Sequence, residues 1–255
     1  MIENIEQKKL IEKKPLVVGM LGCLASGKTT ISKELGARWG IEPIEEKFPQ
    51  NPFLEKFYEN PSEFSFRSQM FFLTSKVEQL KGVEKNKVSV FDPGLTMDFL
   101  YAKTHHKMGW MNDGEWNLYQ DVFYALSGKG NLPYPDMHIV VIANQEDLRR
   151  RIIDRGRGYE RWILENYPDY LEKLVESVDE WSRKEEKDSY KFVANTSLGG
   201  FSGSVEALAN RIESHICLKF GLDSNYTLPH IHPPKITHAS DIFPGGDSNS
   251  IRLTR

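Results

Sequence analysis

Leu16-Val-Val-Gly-Met-Leu-Gly22-Cys-Leu-Ala-Ser-Gly27-Lys28-Thr29-Thr30 is the stretch on which the reading of this chain turns. Residues 16–21 form a short apolar run that stops at a glycine, the pattern of a parallel strand buried on both faces. Residues 22–29 then spell GxxxxGK[ST] without a gap. From Lys28 onward Ile31, Leu35 and Trp39 recur at helical spacing. Strand, glycine loop and helix in that order make a cradle for phosphate. The glycines let backbone N–H groups turn inward around phosphate oxygens, and the helix aims its positive end at the anion. Lys28 supplies a point charge for the β- and γ-phosphates, and Thr29 offers a hydroxyl to Mg²⁺. Gly22, Ala25, Ser26, Gly27, Lys28, Thr29 and Thr30 are therefore the candidate residues for a nucleoside triphosphate such as ATP.

Working outward, further strands are expected at 41–46, 88–91, 137–143 and 190–194. Helices are expected from Asn51-Pro52 to Tyr58, from Ser62 to Lys81, over 95–107, 113–127 and 145–154, from Tyr167 to Lys187, and from Ser204 to Phe220. Strands alternating with helices imply βαβ units, an α/β fold with a parallel sheet covered on both faces. Beyond about residue 222 the composition shifts to Pro229, Pro233, Pro234, Pro244, Gly245, Gly246 and several serines. The chain thus divides into one domain over 1–222 and an expected disordered tail over 223–255.

Composition narrows the classes. Hydrophobic residues make up 39% of the 255, enough for a sizeable core, and the net charge of −3 argues against a nucleic-acid partner. The two cysteines, Cys23 and Cys217, have no metal-site spacing and suit a reducing compartment. The first fourteen residues are charged and lack an apolar signal segment, and no run approaches the ~20 apolar residues that span a bilayer. A soluble, cytoplasmic protein without membrane partners is expected.

Phosphoryl transfer to a hydroxyl needs a positioned base and cations around the dispersed phosphate charge. Arg149, Arg150, Arg151, Arg155 and Arg157 crowd a helix end followed by glycines. They read either as a solvated helix face or as a mobile lid that delivers arginines to phosphate. Glu45 and Glu46 end the second expected strand, where a carboxylate can act as base, or are exposed loop acids. Asp92 follows the third, where it can hold Mg²⁺ directly or through water, or simply open the Asp-Pro-Gly turn it spells.

Taken together the motifs resemble the deoxynucleoside kinase family, from the phosphate loop to about residue 195. That resemblance implies a P-loop nucleoside-kinase-like fold: a five-stranded parallel sheet, helices on both faces and a short arginine-rich lid. It implies ATP-dependent phosphorylation of a deoxynucleoside at its 5′-hydroxyl, with Mg²⁺, in a homodimer. Asn51-Pro-Phe-Leu-Glu-Lys-Phe-Tyr58 and Phe64-Ser-Phe-Arg-Ser-Gln69 look like the family's substrate helices. By resemblance Tyr58 would hold the sugar 3′-hydroxyl and Gln69 would pair with the base edge. Lys76 falls where many members carry an arginine near the base, Asp98 where they carry its acidic partner, and Phe64 could help sandwich the base. The general base falls on Glu46, with Glu45 as the fallback. Arg151 and Arg155 would contact the transferring phosphates, and Glu160 would close on the 3′-hydroxyl. Asn195 and Thr196 lie where the family's adenine loop lies.

One departure stands out. After the third strand the family usually has Asp/Glu-Arg-Ser, whereas this chain has Asp92-Pro93-Gly94. Proline has neither the charge nor the donor of arginine, and lysine at 76 lacks arginine's bidentate fork. Two alternatives therefore stay beside the deoxynucleoside kinase: a nucleoside monophosphate kinase of the thymidylate type, and a kinase-like nucleotide-binding protein with weakened catalysis.

Overall fold

A computed structural model describes residues 16–83, 88–127, 132–184, 189–197 and 204–220; the expected tail over 223–255 lies outside them. β1 (Val17–Gly22), β2 (Ile44–Glu45), β3 (Ser89–Asp92), β4 (Met137–Ile142) and β5 (Tyr190–Asn195) form one sheet in the order β2-β3-β1-β4-β5. Every pairing is parallel. The strand order reverses at β1, and in such sheets ligands bind in the crevice beyond the strand C-termini at that point.

Side chains of β1 alternate between two cores, as the twofold period of a strand requires. Val18 and Met20 pack with Ile31, Leu35 and Trp39 of α1 (Lys28–Trp39) and with Leu208, Ile212 and Ile216 of α9 (Val205–Phe220). Leu21 faces the other way. It joins Met97 and Leu100 of α4 (Leu95–Lys107), Leu148 and Ile152 of α6 (Gln145–Arg155), and Leu171, Leu174 and Val178 of α8 (Tyr170–Arg183). Val17 on the same face meets Leu73, Val77 and Leu80 of α3 (Pro61–Lys81) and Tyr119 of α5 (Asp113–Ser127). Each fully buried aliphatic side chain of this kind contributes about 1.5–3 kcal/mol, so the strand that carries the phosphate loop is anchored from both sides.

Two short α-helices, α2 (Leu54–Glu59) and α7 (Gly158–Asn166), and one 3-10 turn at Phe48–Gln50 complete the described elements. Three expectations change. The second strand has two residues rather than six, because Pro43 interrupts the pairing that 41–46 would need. The helix expected over 167–187 starts at Tyr170, after Pro168, and ends at Arg183, where Lys184 turns extended (φ −75°, ψ 142°). Residues 158–166 form a helix that the glycines at 156 and 158 conceal. Gly156 takes the left-handed conformation that ends α6 (φ 71°), whereas Gly158 opens α7. No helix among the described residues is long and apolar enough to cross a membrane.

Candidate active site

The phosphate loop leaves β1 at Gly22 (φ 147°), where a Cβ would lie 2.3 Å from the Val141 carbonyl oxygen, so only glycine fits. Gly27 (φ 100°) turns the chain into α1. Lys28 folds back over the loop, its Nζ donating to the carbonyls of Gly22 and Cys23, each at 2.9 Å. Burial lowers its pKa, opposed chiefly by the charge of Asp92. Both bonds are to neutral carbonyls, which a triphosphate would outcompete. Thr29 is exposed at the loop mouth, and Ser26 is buried beneath it with no partner for Oγ. Burial pushes the Cys23 thiol up to about 12, so it stays an unreactive filler.

The next strand ends bring in the acids. Glu45 turns outward into a half-exposed 3.1 Å pair with Lys33. Glu46, one residue later, has its N–H on the Asp92 carbonyl (3.0 Å). Its carboxyl feels Lys76, Lys28 and Asp92 and comes within hydrogen-bonding reach of the Asp98 carboxyl. Burial raises the Glu46 pKa, with Lys76 the strongest opposing charge; burial raises that of Asp98 well above the carboxylate range, again opposed by Lys76. Two carboxyls in contact cannot both ionise easily, so the pair tends to share one proton. Asp92 is buried and accepts from Ser32 Oγ at 3.1 Å. Ser32 had no signal in the sequence beyond lying one helical turn after Thr29. Lys76, 1% exposed, donates to the Pro93 carbonyl at 2.8 Å. Gly94 lies so close to β1 that a Cβ would sit 2.9 Å from Gly19 Cα.

Asn51 ties the segment before α2 to α3, donating to Ser68 Oγ at 3.0 Å and accepting from Phe53 N–H. Tyr58 lies 4.8 Å from the Tyr159 ring. Burial and then the Tyr170, Glu160 and other nearby groups keep its phenol protonated. Gln69 is buried at 5% exposure and its Oε1 meets no donor. Phe64 lies with Lys56 and Arg67 over its ring.

The arginine run divides into distinct tasks. Arg149 donates to the Pro168 carbonyl, and Arg150 pairs with Asp147. Arg151 reaches the phosphate loop: it donates to the Ala25 carbonyl (3.5 Å), to Thr196 Oγ1 (3.1 Å) and to the Thr196 carbonyl. Thr196 in turn donates to the Ser26 carbonyl at 2.9 Å. Arg155 and Arg157 converge on one oxygen of Glu160, Oε1, at 3.1 and 3.2 Å. Glu160 is 2% exposed and its Oε2 has no partner.

Six buried side-chain polar atoms among the described residues lack a partner, and four belong to this site: Ser26 Oγ, Gln69 Oε1, Asp98 Oδ2 and Glu160 Oε2. Each such atom costs about 1–3 kcal/mol. Their concentration here is what a polar ligand would relieve.

Known proteins point the same way. The model of the deoxynucleoside kinase family matches residues 18–217. The deoxyadenosine/deoxycytidine kinase of Bacillus subtilis (strain 168) is 29% identical over 167 residues, 65% of this chain and 76% of that one. The deoxyadenosine kinase of Dictyostelium discoideum is 27% identical over 179 residues, 70% of each chain. The structure of the deoxyadenosine kinase from M. mycoides, with products dCMP and a flexible dCDP bound, superposes with a TM-score of 0.67 at 25% identity. That match covers 80% of this chain and all of the other. A phosphate loop at the switch point of a five-stranded parallel sheet, acids at the ends of β2 and β3, and a family match running from β1 into α9 lead to one conclusion: the chain belongs to the deoxynucleoside kinase family.

Proposed function

We propose that the protein transfers the γ-phosphoryl group of ATP to the 5′-hydroxyl of a deoxynucleoside, giving the 5′-monophosphate, as a cytoplasmic salvage enzyme. The observation that carries this reading is the set of four partnerless buried polar atoms carried by the phosphate loop, α3, α4 and α7. In the proposal Glu46 accepts the 5′-hydroxyl proton. Burial raises its pKa, and Lys76 and Lys28 oppose that rise without cancelling it, so a carboxylate of raised basicity stands ready to take up the proton. Gln69 Oε1 and Asp98 Oδ2 meet the base edge. Tyr58, a phenol donor, and Glu160 Oε2, an acceptor, bracket the sugar 3′-hydroxyl. Lys28, Arg151 and Arg155 take the phosphates, once Lys28 leaves its loop carbonyls and Arg151 leaves Thr196.

Mg²⁺ fits the donors present. The Thr29 hydroxyl is exposed, Asp92 supplies a carboxylate one oxygen of which is engaged by Ser32, and Mg²⁺ characteristically takes few protein ligands beside phosphates and water. Bound there, it would neutralise phosphate charge. A homodimer completes the proposal; α5 leaves Leu118 and Tyr124 exposed at 51% and 60%, apolar surface suited to a second copy.

The test is ADP release with ATP and Mg²⁺ against all four deoxynucleosides. Wild type should turn over on at least one, and Lys28→Ala on none. Glu46→Gln should lose about 10²–10⁴-fold in kcat with KM nearly unchanged, since a base acts mainly in the transition state. Silence of the wild type on all four deoxynucleosides, with nucleotide binding intact, would refute the proposal. Turnover of dTMP in its place would then identify a monophosphate kinase.

A further inference from the structure

We propose that Lys76 is a positioning residue for the strand-end turn that carries Asp92 and supports Glu46, and that it does not read the base. The inference rests on the proposed kinase activity and concerns how this chain manages without a cation at position 93.

Lys76 is 1% exposed, among the largest fully buried side chains of the described residues. Burying an ammonium is costly unless it is paired or hydrogen-bonded. Its hydrogen bond is to the Pro93 carbonyl at 2.8 Å. That carbonyl belongs to a turn held at every other point by backbone or hydroxyl donors: Gly94 N–H on the Met20 carbonyl (2.8 Å), Ser32 Oγ on Asp92, and Glu46 N–H on the Asp92 carbonyl. Lys76 thus supplies the link from α3 to the turn, and through Asp92 to Glu46. Its ammonium is also the strongest opposing charge on both the Glu46 and the Asp98 carboxyls.

The base-reading alternative requires Lys76 to pair with Asp98 or with the base. Asp98 Oδ2 is buried and meets no donor, so that oxygen remains for the base. Gln69, whose own Oε1 is partnerless, precedes Lys76 by seven residues on α3. Seven residues are two turns, about 10 Å along the axis, so Gln69 and Lys76 share a face of α3 but are too far apart to make one contact, and Lys76 is engaged at the strand end.

The experiment compares wild type with Lys76→Met, Lys76→Gln and Lys76→Arg on the four deoxynucleosides at saturating ATP, with Gln69→Ala alongside to show that base preference can be moved. Lys76→Met should lower kcat by about tenfold or more, since misplacement of about 1 Å can cost 10²-fold. The loss should be the same on every substrate the wild type accepts, leaving the ratios of kcat/KM among bases unchanged. Lys76→Arg, which keeps charge and donor, should recover most of kcat. Should Lys76→Met fail to fold, as judged by its melting curve, Lys76→Gln retains a donor to the Pro93 carbonyl and reports the same ratios. A change of base ratios at preserved kcat would overturn the assignment in favour of base reading. An unchanged kcat, or a loss that Lys76→Arg does not relieve, would overturn it too, the latter as a packing effect. Wild-type inactivity on all four deoxynucleosides is a different result and sinks the kinase reading itself.

Discussion

Gln69→Met should make the unliganded protein more stable while weakening its hold on substrate. Gln69 is 5% exposed and its Oε1 has no donor, so the free protein carries an unsatisfied acceptor. Such an atom costs about 1–3 kcal/mol. Methionine is similar in length and volume, so it removes the acceptor without opening a cavity and offsets most of that cost. A net gain of about 1 kcal/mol corresponds to a rise of about 2–4 °C in Tm for a domain of this size. The ligand-bound protein behaves oppositely. A deoxynucleoside at a hundred times its Kd stabilises the wild type by about 2.7 kcal/mol. Losing the base contact weakens affinity by about tenfold or more, which reduces that gain to about 1.4 kcal/mol or less at the same concentration. Melting curves with and without deoxynucleoside read both effects. Tyr119→Phe is the comparison, since its hydroxyl is another partnerless buried atom but is not assigned to the substrate. It should raise Tm similarly and keep the full ligand shift. A lower Tm for unliganded Gln69→Met, or an undiminished ligand shift, would refute the idea that this amide waits for the base.

Two further predictions concern the lid and the core. Arg151→Ala should raise the KM for ATP and lower kcat, whereas Arg149→Ala, which loses only a bond to the Pro168 carbonyl, should leave both within about twofold; equal effects would show that the two arginines are not divided as described. Burial holds His105 and His138 at about 3, well below the ordinary 6.5. The unfolded chain therefore takes up their protons below pH 6.5 while the folded chain does not, and stability must fall as pH descends from 6.5 toward 3. The slope approaches about 1.4 kcal/mol per unit for each once the unfolded histidines are charged, so the two together remove about 3 kcal/mol between pH 6.5 and 5. Urea titrations should show that the fall is about 2 kcal/mol smaller in His105→Gln; an identical pH dependence in that variant would refute the assignment.

The parts of this site that were legible in the sequence are those whose geometry is local. The phosphate loop is written in eight consecutive residues because its glycines and its lysine act within one turn of chain. Glu45 and Glu46 were expected to end the second strand, and the two-residue β2 still leaves Glu46 just beyond its end with its N–H on Asp92. Partner choice was not legible. Nothing in Arg149-Arg150-Arg151 says that the first reaches the Pro168 carbonyl, the second Asp147 and the third the phosphate loop, because each choice depends on the helical phase at which α6 docks. Lys76 has the same lesson: the family resemblance places it near the base, yet its ammonium found a carbonyl 17 residues downstream across the fold. The helix at 158–166 escaped because a pair of glycines looks alike whether one ends a helix or both do, and only the backbone angles distinguish them.

The contact of Gly94 with β1 bears on what this chain can become. A Cβ at 94 would stand 2.9 Å from Gly19 Cα, and a Cβ at 19 would meet Pro135 and His138 at 3.2 and 3.3 Å. The turn and the strand have settled together at a distance that only a missing side chain allows. Restoring the family's Arg-Ser at 93 and 94 would therefore require the second substitution to push the turn off β1, carrying with it the carbonyl that Lys76 holds. A side chain at 94 would thus be felt at the link from α3 to the strand end. The glycine is in that sense locked in: its neighbours occupy the space that any other residue would need.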